Sequence, residues 1–194
     1  SEKQPETLED LYRANQNWYQ RGENYWKNVP PTDDGVLGGF GHISSIDVQG
    51  SHEFLKIFLE PSGFTKAGCA LDVGAGIGRI SRDFLSKVFE NVDLLEPNAD
   101  FLREAKTSIP SPPLRNLLCK PIQAFKPEPS SYDVIWIQWV IGCVQDDDLV
   151  AFLIACKEAL TQNGLIVVKD NVSRQGFIYD SEDSSVTRTR AQLA

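Results

Sequence analysis

No apolar run in this chain approaches the roughly 20 residues that a membrane-spanning helix requires, and no segment repeats or falls to low complexity. The start, Ser1-Glu2-Lys3-Gln4-Pro5-Glu6, lacks the basic and then apolar stretches of a signal peptide. Histidine is scarce. His42 and His52 are too few and too ill placed for a metal centre, so no metal is expected. The four cysteines, Cys69, Cys119, Cys143 and Cys156, show no C-x-x-C spacing and three lie in apolar segments. That favours reduced, buried thiols in the cytoplasm or nucleus over disulfides or zinc. Basic residues are in deficit: 19 Lys and Arg against 27 Asp and Glu leave a net charge of −8, with no basic localisation run. Nucleic acid is therefore not an expected partner, since phosphates need a basic face. The balance suits a cationic small molecule or a basic peptide.

What is present is enough for one substantial core: 194 residues, 41% of them hydrophobic. Residues 6–28 read as a helix with Leu8, Leu11, Tyr12, Trp18 and Tyr25/Trp26 as an apolar stripe, ended by Pro30-Pro31. A glycine-dense loop follows over 32–41, and residues 51–60 read as a helix capped by Ser51 with Phe54, Leu55, Phe58 and Leu59 inward. From residue 69 strand and helix alternate. Strands are expected at 69–73, 92–96, 115–119, 133–139 and 165–169, and helices at 79–89, 98–107 and 146–160, with Asn163-Gly164 as the turn that stops the last helix. This is an α/β pattern, a parallel sheet with helices on both faces, preceded by a helical extension. The chain is expected to form one domain, with 1–50 as helical lid and glycine-rich loop and 51–194 as a Rossmann-like core.

The stretch Cys69-Ala-Leu-Asp-Val-Gly-Ala-Gly-Ile-Gly78 is the most informative in the chain. A strand reaches Asp72, and three glycines at alternate positions, Gly74, Gly76 and Gly78, lead into a helix opening at Arg79. Such turns let a nucleotide-like ligand approach the backbone closely. The dinucleotide fingerprint is G-x-G-x-x-G. Here the spacing is D-x-G-x-G-x-G, and a carboxylate beside the loop would repel a diphosphate but suits a cationic ligand. An NAD-dependent oxidoreductase is thereby disfavoured, and the loop resembles that of the class I S-adenosylmethionine (SAM) methyltransferases.

In a parallel sheet the ligand lies at the carboxyl ends of the strands. That rule selects Asp72 to Arg79, Glu96, Ile122/Gln123, Gln138/Trp139 and Asp170/Asn171. Glu96 follows Gly78 by 18 positions, near the spacing of a carboxylate that binds ribose hydroxyls; otherwise it is a surface acid at a strand end. Gln123 reaches an adenine edge or is a loop glutamine. Trp136 is core, and Trp139, where the strand leaves the sheet, faces the pocket, an aromatic wall for an amine. Asp180 and Asp183 either orient an amine and accept its proton, or form a solvated acidic loop capping a helix that starts at Ser184.

Several stretches together resemble one family, the protein α-N-terminal methyltransferases of X-Pro-Lys N-termini. They are Tyr25-Trp26-Lys27, the run from Pro30 to Ser45 containing Gly38-Gly39-Phe40-Gly41-His42-Ile43-Ser44-Ser45, Leu71 to Arg79, Ser131 to Gly142 with Asp133-Val-Ile-Trp-Ile-Gln-Trp-Val140, Lys169-Asp170-Asn171 and Asp183-Ser184-Ser185-Val186. The resemblance implies that Gly74, Gly76, Arg79, Glu96, Pro97, Ile122, Gln123 and Gln138 bind SAM, with Arg79 near its carboxylate. It implies that Trp26, Leu37, Gly38, Trp139, Asn171 and Asp180 line the peptide channel. Asn171, Asp180 and Asp183 would be the catalytic set, with Asp183 the preferred proton acceptor. It also implies up to three methyl additions (two on an N-terminal proline), a monomer, and a cytoplasmic or nuclear location. Two departures stand out. Cys143 replaces a family histidine, and the family continues past Ala194 with a helix and two further strands. A weak or inactive relative that binds SAM or a partner without turnover is the alternative, and a small-molecule amine methyltransferase is a third reading of the same chemistry.

Overall fold

The apolar runs pair into one parallel sheet in a computed structural model that describes residues 5–59, 61 and 63–194. Strands β1 (Cys69–Val73), β2 (Asn91–Leu95), β3 (Leu114–Leu118), β4 (Tyr132–Gln138) and β5 (Leu160–Lys169) lie in the order β3-β2-β1-β4-β5. Every neighbouring pair is parallel. The order reverses between β1 and β4, which opens a crevice at their carboxyl ends. Alternation along each strand feeds two cores. Ala70, Val134 and Trp136 pack on one face with Leu55, Phe84 and Leu102. Leu71, Val73, Ile135 and Ile137 pack on the other with Phe152 and Cys156.

The helices are α1 (Leu8–Ala14), α2 (Trp18–Asn28), α3 (Asp33–Val36), α4 (Ser44–Lys56), α5 (Arg79–Asp83), α6 (Ala99–Ser108) and α7 (Asp146–Ala159). Several boundaries differ from the pattern. The helix expected over 6–28 breaks between α1 and α2, where the Asn15 side chain donates to the Leu11 carbonyl at 2.8 Å and its backbone leaves helical geometry. Ser51 is no N-cap: α4 begins seven residues earlier, and the Ser51 hydroxyl donates back to the Asp47 carbonyl at 2.9 Å. Helix α4 therefore runs across residues 50 and 51, with Leu55 buried but Phe54 46% exposed. Residue 60, the expected end of that helix, and residues 1–4 lie outside the described residues. The helix expected over 79–89 breaks at Phe84 into a 3-10 turn. No helix starts at Ser184. Instead β6 (Ile178–Asp180) and β7 (Ser185–Thr187) form an antiparallel hairpin. Asn163 takes φ 65°, as a turn residue should, but the β4–β5 ladder resumes across it, from Tyr132↔Leu160 to Val134↔Leu165. All four cysteines are free thiols, Cys69 and Cys156 buried and Cys119 exposed.

The N-terminal helices are fastened to the hairpin and to the loop after β4. Leu8, Leu11, Trp18 and Val186 bury one another, and the Trp18 indole donates to the Cys143 carbonyl at 2.8 Å. Arg188, only 3% exposed, donates to Asp146, to the Tyr12 hydroxyl and to the carbonyls of Ile141 and Val144, at 2.7–2.9 Å. These contacts hold α2 as a roof over the crevice.

Candidate active site

The chain leaves β1 through Gly74, Gly76 and Gly78, all at positive φ. A β-carbon at Gly74 would lie 2.5 Å from Val140 Cγ2, and one at Gly78 would lie 2.7 Å from Ile109 Cδ1. At Gly76 it would meet nothing nearer than Val36 Cγ1 at 3.9 Å. The outer glycines thus let the turn press against the β4 loop and α6, and the middle one opens on a cavity.

That cavity, of about 970 Å³, is walled by the carboxyl ends of the strands and roofed by α2 and α3. Gly74, Gly76, Arg79, Glu96, Pro97, Ile122, Gln123 and Gln138 all line it, as do Asp72, Trp26, Leu37, Trp139 and Cys143. Gly38, Asn171, Asp180 and Asp183 are not among its lining residues. The Glu96 carboxylate accepts from the Gly76 and Asn98 amides, both at 2.9 Å. Burial nevertheless pushes its carboxyl up to about 7, with Asp72 adding and the two amides opposing. Asp72 is also raised by burial, to about 6, and accepts from the Ser81 hydroxyl at 2.6 Å. Its first contact is therefore the start of α5, a bond that ties the glycine turn to the helix.

Arg79 is 4% exposed. Its guanidinium pairs with Asp47 at 2.9 Å, donates to the Ser44 hydroxyl at 3.1 Å and lies 5.4 Å from the centroid of the Trp139 ring. Trp139 has φ 54°, which breaks the strand alternation and turns the ring toward Arg79. Trp136 stays in the core, and its indole donates to Gln138 Oε1 at 2.9 Å. The Gln138 amide donates to both Asp47 oxygens at 3.0 and 2.9 Å, and Lys169 completes the cluster on Asp47. Burial works against the Asp47 charge, but hydrogen bonds from Lys169, Gln138 and Arg79 hold its carboxyl below the usual range. Asp47 has no sequence signature: it is one acid in a polar segment, outside every motif.

On the other side of the cavity, Cys143 meets Trp26. Burial pushes its thiol up to about 12, Asp183 adds to the shift and a hydrogen bond from Trp26 opposes it. Asp183 is raised by burial, opposed by Ser185 and reinforced by Asp180. Its Oδ1 is buried and, among the described residues, accepts no hydrogen bond. Asp180 is exposed at the end of β6, and its carboxylate accepts from the Glu182 amide at 2.8 Å. Asn171 is exposed after β5, its backbone amide held by Asp170 at 2.8 Å. A buried carboxylate oxygen without a donor, next to an aromatic-walled cavity, can take a proton from a cationic amine.

The sequence profile described as AdoMet-dependent proline di-methyltransferase matches residues 14–194. The chain is 52% identical over 185 residues to the N-terminal Xaa-Pro-Lys N-methyltransferase 1 of Danio rerio, covering 93% of this chain and 83% of that one. It is 51% identical over 174 residues to the protein of the same name from Homo sapiens, covering 88% and 78%. In structure it is similar to a SAM-dependent methyltransferase from Leishmania major, with a TM-score of 0.89 and 36% identity over 96% of this chain and 78% of that one.

Proposed function

The chain belongs to the AdoMet-dependent proline di-methyltransferase family, and from that premise we propose that it transfers methyl groups from SAM to the α-amino group of proteins that begin Xaa-Pro-Lys. The observation that carries this reading is convergence: eight residues scattered from 74 to 138 line one cavity that also presents Trp26 and Trp139. The cavity fits SAM on its own terms. Gly76 leaves open space, Glu96 offers a buried carboxylate for a ribose diol, and Arg79 offers a cation for a carboxylate. Ile122 and Gln123 would flank the adenine, with Pro97 and Gly74 closing the walls.

When bound, SAM supplies an electrophilic methyl group on its sulfonium. The chain's own work is to bring a neutral amine to that methyl. An α-amino group has a pKa of about 7.7–8.0, so at neutral pH it arrives mostly as an ammonium. Asp183 Oδ1 takes its proton, and the raised pKa of that carboxyl makes the transfer less uphill. Asp180 and Asn171 stand by to bind the third-position lysine and the first backbone amides, and Trp139 packs on the second-position proline. Gly38 and Leu37 form the rim where the peptide enters. The reading places the enzyme in the cytoplasm or nucleus, supported by its four free thiols.

Incubating the protein with SAM and Pro-Pro-Lys or Ser-Pro-Lys peptides tests this directly. Mass spectrometry should show steps of one, two or three methyl groups, and none on a peptide with a blocked α-amine. An unmethylated peptide with SAM bound would overturn the reading in favour of a non-catalytic relative.

The resemblance puts Cys143 where a histidine is expected, and a thiol pushed up to about 12 is protonated throughout the working range. Cys143→Ala is therefore expected to change kcat by no more than about threefold and to leave the pH–rate profile between 6 and 9 in place. Loss of a basic limb in that variant would show that the thiol takes part in proton transfer.

A further inference from the structure

Asp47 is the most heavily bonded acid around the cavity and has no part in the activity described so far. It stands on α4, 5% exposed by side chain, with the Arg79 guanidinium at 2.9 Å, the Gln138 amide at 3.0 and 2.9 Å, and the Lys169 ammonium. Lys169 also donates to the Asp47 carbonyl at 3.1 Å and to Ser51 at 2.9 Å. Two of these partners, Arg79 and Gln138, line the cavity; Asp47 itself does not. Its influence on a ligand is therefore exerted through them.

Three consequences follow from the geometry. The Arg79 plane is fixed by Asp47, by Ser44 at 3.1 Å and by Trp139 at 5.4 Å. The Gln138 amide cannot flip, because its nitrogen faces Asp47 and its oxygen accepts from Trp136 at 2.9 Å. Asp47 is shared between the Arg79 guanidinium and the Lys169 ammonium, so neither cation is fully neutralised by it and Arg79 can still receive a ligand carboxylate. We propose that Asp47 is a positioning residue for the amino-acid end of the cofactor, holding Arg79 and Gln138 in the orientation that receives it. This rests on the reading of the cavity as a SAM site.

The test compares two ligands that share the nucleoside and differ at the other end: S-adenosylhomocysteine, and 5′-methylthioadenosine, which lacks the amino-acid end. By titration calorimetry, Asp47→Asn should weaken S-adenosylhomocysteine by about 10–100-fold and leave 5′-methylthioadenosine within about twofold. In kinetics the KM for SAM should rise, with kcat at saturating SAM and KM for the peptide nearly unchanged. Should the single variant fail to fold, the double variant Asp47→Asn/Lys169→Gln, which removes one charge of each sign, should show the same ligand-selective loss. Equal weakening of both ligands, or no weakening of either, would overturn the proposal. Wild-type protein that bound neither ligand would instead remove the reading of the cavity, and the inference with it.

Discussion

Asp183→Asn should lower kcat/KM for an Xaa-Pro-Lys peptide by about 10²–10⁴-fold, the range for removing a positioned proton acceptor. The substitution keeps the shape of the side chain and its contact with Ser185 and removes only the charge. In the wild type, Oδ1 is buried and unpartnered, an arrangement that costs stability and is retained only where an incoming donor completes it. Asparagine cannot accept a proton, so its amine partner stays cationic and its lone pair is unavailable to the methyl. SAM affinity should change little, because Asp183 is not among the residues that line the cavity, and the thermal midpoint should not fall, because the variant removes a charge that burial disfavours. Burial raises the Asp183 carboxyl, so wild-type activity should fall on the acid side as that group and the amine both become protonated. Steady-state kinetics with a parallel calorimetric titration of SAM checks the split; a loss of less than about tenfold would assign the proton to another group.

The second large effect concerns Glu96 and is read in cofactor affinity. Its carboxyl stands near 7 in the folded protein, against about 4.3 for a free glutamate. The folded state thus keeps a proton that the unfolded chain gives up. The contribution of Glu96 to stability is fully present below about pH 4.3 and is lost as pH rises through about 7. Asp72, raised to about 6 and facing Glu96, works in the same direction. Ribose hydroxyls donate to the ionised form, so binding should release a proton and tighten by about tenfold between pH 6 and 8. Glu96→Gln should flatten that dependence and weaken SAM at pH 8 by about 10–100-fold. Calorimetry in buffers of different ionisation enthalpy measures the proton directly, and a pH-independent wild-type affinity would sink the account.

Much of the cofactor side was legible in the sequence because its determinants are local. A strand, a glycine turn and a helix start are contiguous between Cys69 and Arg79, Glu96 and Gln138 stand at the ends of strand-like runs, and Ile122 and Gln123 follow shortly after the third. The strand-end rule converts that into a site without knowledge of any contact. What escaped was whatever depended on distant partners. Asp47 is placed by Arg79, Gln138 and Lys169, none of which is near it in sequence. The start of α4 was misplaced because Gly50 and the flanking polar residues mask the helical period, while the burial of Leu55 decides the packing. The hairpin around Asp180 and Asp183 was missed for a similar reason: three-residue strands carry too little alternation to be seen, and Val186 declares its direction only by packing on Leu8, Leu11 and Trp18.

Arg188 draws its acceptors from two parts of the chain that are far apart in sequence: Tyr12 near the start, and the short segment from Ile141 to Asp146, which supplies the carbonyls of Ile141 and Val144 and the carboxylate at the head of α7. None of these can loosen without stranding a buried guanidinium, a penalty that falls on all of them together. Helices α1 and α2, the loop after β4 and the β6–β7 hairpin are thereby tied to one another, and amide exchange is expected to show them opening together. Because α2 also roofs the cavity, such an opening would expose the nucleoside and peptide sites together.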